Sequence, residues 1–272
     1  MKTLQRYFLC AVILFGAAPL TAQNKFRGCP SGDENPQIAP AGKQVELLLL
    51  VNEFRVKKGL LPLKRNNALT LAASYHAQDM GQDGYFDHFS YDCKDRDPLD
   101  GRPPRCRPAC DPGERIQAFY NGETVGENIG YRYPDAPEMM NAWTKSRGHN
   151  KTMRREAIRE AGVGYFDEGL RNQAYWVLNV GARRNVYPVI INLDALRTPH
   201  RQVTLHAYRP NENYREIRLR NAGEDWRAWQ PYPRKGELSW QLSPGAGRKR
   251  VQVQLRNGDG ELYEAEDIIQ LE

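Results

Sequence analysis

Two histidines and a glutamate in the amino-terminal half are the candidates for chemistry. His88, Glu127 and His149 are separated by 39 and 22 residues, and no short motif joins them. Two imidazoles and a carboxylate can ligate a zinc-like metal ion, and the same groups can act as a general acid and base. The structural alternative is that they hydrogen-bond one another and brace a cleft.

Helices must position these three residues, and the sequence predicts where they run. Apolar residues recur at three- and four-residue spacing over 44–58 and over 68–81, which predicts two helices, the second ended by Gly81. Asp135 is the predicted N-cap of a third helix that ends near Gly148.

Short strands are predicted to follow these helices. Residues 162–166 and 175–180 form an antiparallel pair in this interpretation. Asn128 is predicted to lie in a tight turn, since Gly126 and Gly130 flank it. Three helices and a small antiparallel sheet therefore account for residues 43–183.

After about residue 187 the pattern becomes that of an all-β unit. Five short runs are spaced by turn-forming segments, at 203–208, 217–220, 238–242, 251–255 and 263–269. This spacing predicts a small β-sandwich, with a domain boundary near 185–187.

The amino-terminal segment indicates export. Lys2 and Arg6 precede an uncharged apolar run over residues 8–20, which is typical of a secretory signal peptide over 1–22. The run is shorter than the roughly 20 apolar residues that span a bilayer, and no transmembrane segment is predicted elsewhere. Residues 23–42 are interpreted as an extended lead-in. We therefore expect a secreted, periplasmic or otherwise extracytoplasmic protein.

The cysteines agree with export. Four remain after the signal peptide, namely Cys29, Cys93, Cys106 and Cys110. An even number in an exported chain predicts two disulfides, for which three connectivities exist. A zinc site is the alternative, because the spacing of Cys106 and Cys110 is one that metal ligands use.

The composition excludes some classes of protein. Hydrophobic residues make up 40% and charged residues 26%, as in a globular chain. The 39 basic and 33 acidic residues give a formal charge of +6, and the basic residues are scattered among acids. A nucleic-acid surface clusters its basic residues on one face, so no nucleic-acid partner is predicted.

An ordered series of short motifs resembles the CAP superfamily, which contains cysteine-rich secretory proteins, venom antigens and plant pathogenesis-related proteins. The resemblance is to its bacterial secreted branch, the SCP-domain proteins, and covers about residues 44–182. The motifs include Tyr85-Phe86-Asp87-His88-Phe89-Ser90, Gly126-Glu127-Asn128-Ile129-Gly130, Ser146-Arg147-Gly148-His149-Asn150 and Gly162-Val163-Gly164-Tyr165.

The resemblance implies an α–β–α sandwich with a cleft lined by His88, Glu127 and His149. The four-residue version of this cleft has a further acid a few positions after a tryptophan, whereas Thr144, Lys145 and Ser146 follow Trp143 here. The three remaining residues and a water would hold zinc or another divalent metal only weakly, and no other cofactor is predicted.

The predicted function is therefore that of a binding module rather than an enzyme. Its cleft would take a small ligand, a lipid, a surface peptide or a weakly held divalent metal. The alternatives are a metal-assisted, peptidase-like hydrolase with Glu127 as base and a structural adhesin with a vestigial cleft.

The carboxy-terminal half resembles immunoglobulin-like modules of bacterial surface and secreted proteins. The resemblance lies in segments 203–205, 217–223, 240–245 and 251–256. The tryptophans of this half are predicted to fill the sandwich core rather than to stack on sugars. The predicted fold class is α+β, with an α–β–α sandwich over 43–184 followed by an immunoglobulin-like β-sandwich over 187–272.

Overall fold

The computed structural model describes residues 26–38, 41–93, 106–167 and 174–272. The predicted signal peptide lies outside these ranges. Of the helices within them, none combines the length and apolar character that crossing a membrane requires.

In the residues that the structure describes, the amino-terminal domain contains five helices and a four-stranded sheet. The helices are α1 (Ala41–Lys57), α2 (Asn67–Asp83), α3 (Pro112–Phe119), α4 (Ala136–Lys145) and α5 (Arg147–Met153). The strands are β1 (Lys64–Arg65), β2 (Ser90–Cys93), β3 (Cys106–Cys110), β4 (Thr124–Tyr131), β5 (Glu160–Phe166) and β6 (Tyr175–Ala182). The sheet has the order β1-β5-β6-β4, and β2 pairs with β3 beside it.

Helices cover both faces of this sheet. Alternate residues of β6 point to opposite sides, as in any strand. Trp176 and Leu178 pack into one core with Leu47 of α1 and Trp143 of α4. Val177 packs into another core with α2 on the opposite face. The layers are therefore helix, sheet and helix, as predicted.

The helix α2 lies unusually close to the sheet, because two glycines of β5 leave room for it. A Cβ at Gly162 would lie 2.1 Å from the Thr70 nitrogen, and one at Gly164 would lie 2.1 Å from the Ala73 carbonyl oxygen. This close approach fixes the position of α2, which carries several of the buried polar groups described below.

Three local predictions were wrong. Gly81 does not end the second helix, because it lies within α2 against the ring of Phe166, and the left-handed C-cap is Gly84 (φ 72°). The third helix is interrupted at Ser146 and continues as α5. Asn128 is not in a tight turn, since β4 runs straight through it and pairs it with Leu178.

The carboxy-terminal domain consists of two sheets. Its strands are β7 (Val189–Ile191), β8 (Arg197–Thr198), β9 (Gln202–Ala207), β10 (Tyr214–Asn221), β11 (Gln230–Pro231), β12 (Glu237–Gln241), β13 (Gly247–Asn257) and β14 (Leu262–Leu271). One sheet has the order β11-β10-β13-β14-β8 and the other β12-β9-β7. Their inner faces share one hydrophobic core, which includes Leu205 from one sheet and Val253 from the other.

Two tryptophans of this domain lie outside its core, contrary to prediction. The Arg218 guanidinium lies 5.0 Å from the ring centroid of Trp226 and 4.5 Å from that of Trp229. Trp240, by contrast, is partly buried against the core. The first two rings therefore belong to a cation–π stack on the outer face of a sheet.

Charged and polar groups join the two domains. Lys64 Nζ lies 2.5 Å from a carboxylate oxygen of Asp194 and 2.5 Å from one of Asp267, and both carboxylates are buried. Asn52 of α1 donates to the Leu193 carbonyl at 2.9 Å. Residues 192–194 adopt positive φ values, a strained conformation outside glycine, which these contacts hold in place.

The four cysteines form two disulfides, Cys29–Cys110 and Cys93–Cys106, which confirms the prediction of two bridges and supplies their connectivity. The first bridge ties the lead-in segment to the end of β3, immediately before α3. In the described ranges, the one group of three potential metal-ligand atoms that all lie within 4.8 Å of one another is Cys29, Cys110 and Glu114, and its two sulfurs belong to this disulfide.

Candidate functional site

Glu127 forms the centre of the candidate site. It lies in the middle of β4, opposite Asn179 of β6, and its side chain is 3% exposed. A carboxylate enclosed to this degree requires hydrogen bonds and a compensating charge.

Arg115 of α3 supplies both. Its Nη2 lies 3.0 and 2.8 Å from the two carboxylate oxygens of Glu127. Nη2 also donates to the His88 carbonyl at 2.9 Å, and Nη1 donates to Ser90 Oγ at 3.0 Å. The guanidinium is fully buried and therefore ties α3 to the loop that carries His88.

The sequence contains a signal for α3 that went unused. Asp111 is the N-cap, Pro112 occupies the first turn, and Glu114 completes a capping box with Asp111. No helix was predicted over these residues, and Arg115 was therefore missed.

A third group completes the surroundings of the carboxylate. The amide nitrogen of Asn179 donates to Glu127 Oε2 at 3.1 Å, while its oxygen accepts from the Ala73 amide at 3.1 Å. Burial raises the pKa of Glu127, but the charge of Arg115 and the hydrogen bonds around the carboxylate outweigh burial and lower the pKa to about 2. Glu127 is therefore an anion at every physiological pH.

This anion determines that Nδ1 of His88 carries a proton. His88 Nδ1 lies 2.9 Å from Glu127 Oε1. Because an ionised carboxylate only accepts hydrogen bonds, Nδ1 must carry the proton, and the neutral imidazole then has its lone pair at Nε2. The side chain is 46% exposed, so this lone pair is open to a ligand.

His149, the third predicted site residue, lies on α5. Asn128 of β4 donates to the His149 carbonyl at 3.1 Å, and the Trp143 ring lies with its centroid 6.1 Å from that of the imidazole. Burial and then the nearby His88 lower the pKa of His149. The two imidazoles therefore sense each other electrostatically, and His149 favours its neutral form.

A third histidine, His76 of α2, lies beneath the site. It is fully buried, its Nε2 donates to the Asp87 carbonyl at 2.9 Å and lies 3.9 Å from Glu127 Oε1. Burial and the charge of Arg115 lower the pKa of His76 to about 3, so it is neutral. Asp79, three residues further along α2, accepts a hydrogen bond from Tyr85, and burial raises the pKa of Asp79 to about 7.

The comparisons with known proteins bear on this half of the chain. Residues 48–180 match the model of the cysteine-rich secretory protein family, CAP, and this range includes all three predicted site residues. The chain contains a CAP domain.

Relatives of the CAP domain were found among bacterial proteins. YkwD, an uncharacterized protein of Bacillus subtilis (strain 168), is 30% identical over 155 residues, which are 56% of this chain and 51% of YkwD. YlbC, an uncharacterized membrane protein of the same strain, is 29% identical over 135 residues, which are 48% of this chain and 34% of YlbC. The chain thus spans about half of the first relative and a third of the second.

One solved structure of similar type is an extracellular protein containing an SCP domain from Bacillus anthracis str. Ames. It is 23% identical with a TM-score of 0.43, and the match covers 55% of this chain and 45% of that protein.

The geometry of the site favours a metal bound by the histidines over one bound directly by Glu127. Within the described ranges, the donor atoms of His88, Glu127 and His149 do not all lie within 4.8 Å of one another. Both oxygens of Glu127 are also bonded to Arg115. Glu127 therefore has the position of an outer carboxylate that orients His88 rather than that of a direct ligand. That the three residues together ligate a metal stays a prediction.

Proposed function

We propose that this protein is an extracytoplasmic binding protein whose CAP domain takes a small ligand at His88 and His149. The observation that carries the proposal is the fixed tautomer of His88. Glu127, itself held by Arg115, accepts the hydrogen bond from Nδ1–H, and the Nε2 lone pair is directed away from Glu127 on a half-exposed side chain. Such an imidazole is prepared to coordinate an ion or to accept a hydrogen bond without reorganisation.

A divalent metal is the ligand class that these groups suit best. Metal-bound histidines usually donate their other ring N–H to a carboxylate, as His88 does to Glu127. His149 is favoured in the neutral form that coordination requires. With two protein ligands and solvent in the remaining positions, binding would be weak.

Two exposed rings favour an additional apolar part of the ligand. Phe86 and Phe89 flank His88 in the chain and are 39% and 42% exposed. A lipid or a peptide with an apolar side chain could lie on these rings while a polar group meets the imidazoles. The rings therefore extend the proposed ligand site beyond a bare ion.

The electrostatics of Glu127 favour binding over hydrolysis. A general base works best with a pKa near the operating pH. The pKa of Glu127 is about 2, and its oxygens are occupied by Arg115, Asn179 and His88. A carboxylate in this state positions a neighbouring group better than it removes a proton.

The extracytoplasmic location is part of the proposal. Two disulfides are characteristic of proteins that fold in an oxidising compartment. The proposal gives the carboxy-terminal domain an immunoglobulin-like topology and the role of presenting the CAP domain, to which Lys64 joins it firmly.

Zinc titration by calorimetry at pH 7.5 and pH 5.5 tests the site. Wild-type protein should bind weakly at pH 7.5 and more weakly at pH 5.5, because imidazoles must lose their protons to coordinate. His149→Ala should weaken binding at least about tenfold, since half of the protein ligands are removed. His200→Ala is the matched control, because His200 is an exposed histidine of the other domain.

The outcomes separate the alternatives. Unchanged binding by His149→Ala would place any zinc elsewhere. An absence of binding heat from wild-type protein at pH 7.5 would contradict metal binding and leave bracing of the cleft as the role of these residues.

A further inference from the structure

A basic groove lies where α4 meets α5, the helix that also carries His149. It has a volume of about 620 Å³, and five cationic side chains line it together with a threonine and an asparagine. The cations are Lys145, Arg147, Lys151, Arg154 and Arg155. No carboxylate of the described ranges lines it, so the groove has one sign of charge throughout.

The spacing along α5 concentrates this charge. Arg147 and Lys151 are at positions i and i+4, which lie on one face of a helix, and Arg154 follows as the C-cap residue. Like charges at this spacing destabilise a helix. The arrangement therefore costs stability in the absence of a compensating anion.

Favourable interactions with the helix dipole explain the positions of only some of these cations. Lys145 and Lys151 lie in the last turns of α4 and α5, where the helix dipole favours cations. Arg147, however, is the first residue of α5, where the same dipole disfavours a positive charge. Its position is better explained by something that binds in the groove.

Cations elsewhere on the surface have anionic partners. Lys57 pairs with Glu53, and Arg184 pairs with Glu123. Within the part of the chain that the structure describes, none of the five groove cations forms a salt bridge to a carboxylate. The groove thus differs from an ordinary solvated surface, on which the two signs are mixed.

Arg155 gives the groove a fixed cation. Its Nη1 donates to the Val125 carbonyl at 2.9 Å, and the guanidinium packs against Gly126. A half-buried guanidinium that is held to β4 in this way loses less conformational freedom when it binds an anion than a free surface lysine does.

We propose that this groove binds a compact polyanion that carries two or more phosphate groups. Guanidinium groups match phosphate oxygens in charge and in bidentate geometry. The volume is that of a site for a small molecule or a headgroup. No aromatic ring lines the groove within the described ranges, so it lacks the stacking surface that single-stranded nucleic acids use.

Calorimetric titration with tripolyphosphate, on the full chain at low and at physiological salt, tests the proposal. Wild-type protein should bind, and binding should weaken with salt, since the contacts are between charges. Arg147→Gln combined with Lys151→Gln should weaken binding about tenfold or more. The matched control is Arg234→Gln with Lys235→Gln, which removes the same charge from an exposed turn of the other domain and should change binding less than twofold.

Vesicles identify the source of the phosphates. Flotation with phosphatidylcholine vesicles, with and without phosphatidylglycerol, is compared with the tripolyphosphate titration for the same variants. Binding that depends on the groove and on phosphatidylglycerol assigns the phosphates to a lipid surface. Groove-dependent binding of tripolyphosphate alone assigns them to a free molecule.

Three results would overturn the proposal. The first is no binding of either probe at low salt by a wild-type protein that unfolds cooperatively. The second is equal binding by the groove variant and the control variant. The third is preferential binding of a single-stranded oligonucleotide at equal phosphate concentration, which would identify a nucleic-acid surface instead. Zinc binding at His88 and His149 is measured separately, so neither result depends on the other.

Discussion

Replacing Glu127 by glutamine should destabilise the protein by an amount that depends on pH. The pKa of this carboxyl falls from an ordinary value of 4.5 to about 2 in the folded protein. Because each tenfold change in proton affinity corresponds to about 1.4 kcal/mol, the ionised form stabilises the fold by about 3 kcal/mol at neutral pH. The side chain is 3% exposed, so solvent screening reduces this figure little.

The sign of the pH dependence follows from the direction of the shift. A depressed pKa stabilises the fold above the unfolded value of 4.5, and the stabilisation is lost as the pH falls toward 2. Wild type should therefore exceed Glu127→Gln in stability by about 3 kcal/mol at pH 7 and by about 1 kcal/mol at pH 3. The remaining carboxyl groups titrate in both proteins, so the difference isolates Glu127.

Urea unfolding at the two pH values measures this difference. Glu46→Gln is the control, since Glu46 is exposed and its replacement should change stability by no more than about 0.5 kcal/mol. A gap between wild type and Glu127→Gln that stays constant from pH 7 to pH 3, or that is below about 1 kcal/mol at pH 7, would refute the electrostatic reasoning.

Two further substitutions test the packing that positions the site. Gly164→Ala should lower the stability of the fold by about 3 kcal/mol or more, because the added Cβ would meet the backbone of α2. Gly148→Ala is the control: its Cβ would have open space, so the substitution should be neutral or slightly stabilising. Thermal unfolding of the two variants measures the difference. Lys64→Met leaves the buried carboxylate of Asp267 without its cationic partner, whereas Asp194 keeps Arg65, and it should cost about 3–5 kcal/mol at pH 7. The cost should be less at lower pH, because burial raises the pKa of Asp267 and favours its protonated form. Lys57→Met, at an exposed salt bridge, should change stability by less than about 1 kcal/mol, and equal losses in urea unfolding would contradict the role of Lys64.

Periodicity was sufficient to predict the main elements of the fold. The apolar spacing over 44–58 corresponds to α1, and the change to strand-like runs after residue 187 corresponds to the two-sheet domain. The wrong predictions of a helix end and of a turn both rest on glycines, which can also lie inside a helix or a strand. Gly126 and Gly130 suggested a turn, but they lie within β4, where Gly130 makes room for Met139.

The centre of the site was only partly predictable for a different reason. His88, Glu127 and His149 were found through their resemblance to a family rather than through spacing. Arg115 belongs to no such motif, and a lone arginine in a segment rich in proline and charge gives no indication of burial. Its partnership with Glu127 exists only after α3 has packed beside β4, and such a tertiary contact leaves no local pattern in the sequence.

A series of contacts connects the Cys29–Cys110 disulfide to the exposed imidazole of His88. Cys29–Cys110 fixes the end of β3 at the residue before Asp111, whose side chain caps α3. The position of α3 determines that of Arg115, and Arg115 in turn holds both Glu127 and the backbone of His88. Each link is a covalent bond or a short hydrogen bond, so the position of the disulfide constrains that of His88. Oxidation of these cysteines is therefore expected to order the surroundings of His88 as well as to stabilise the chain.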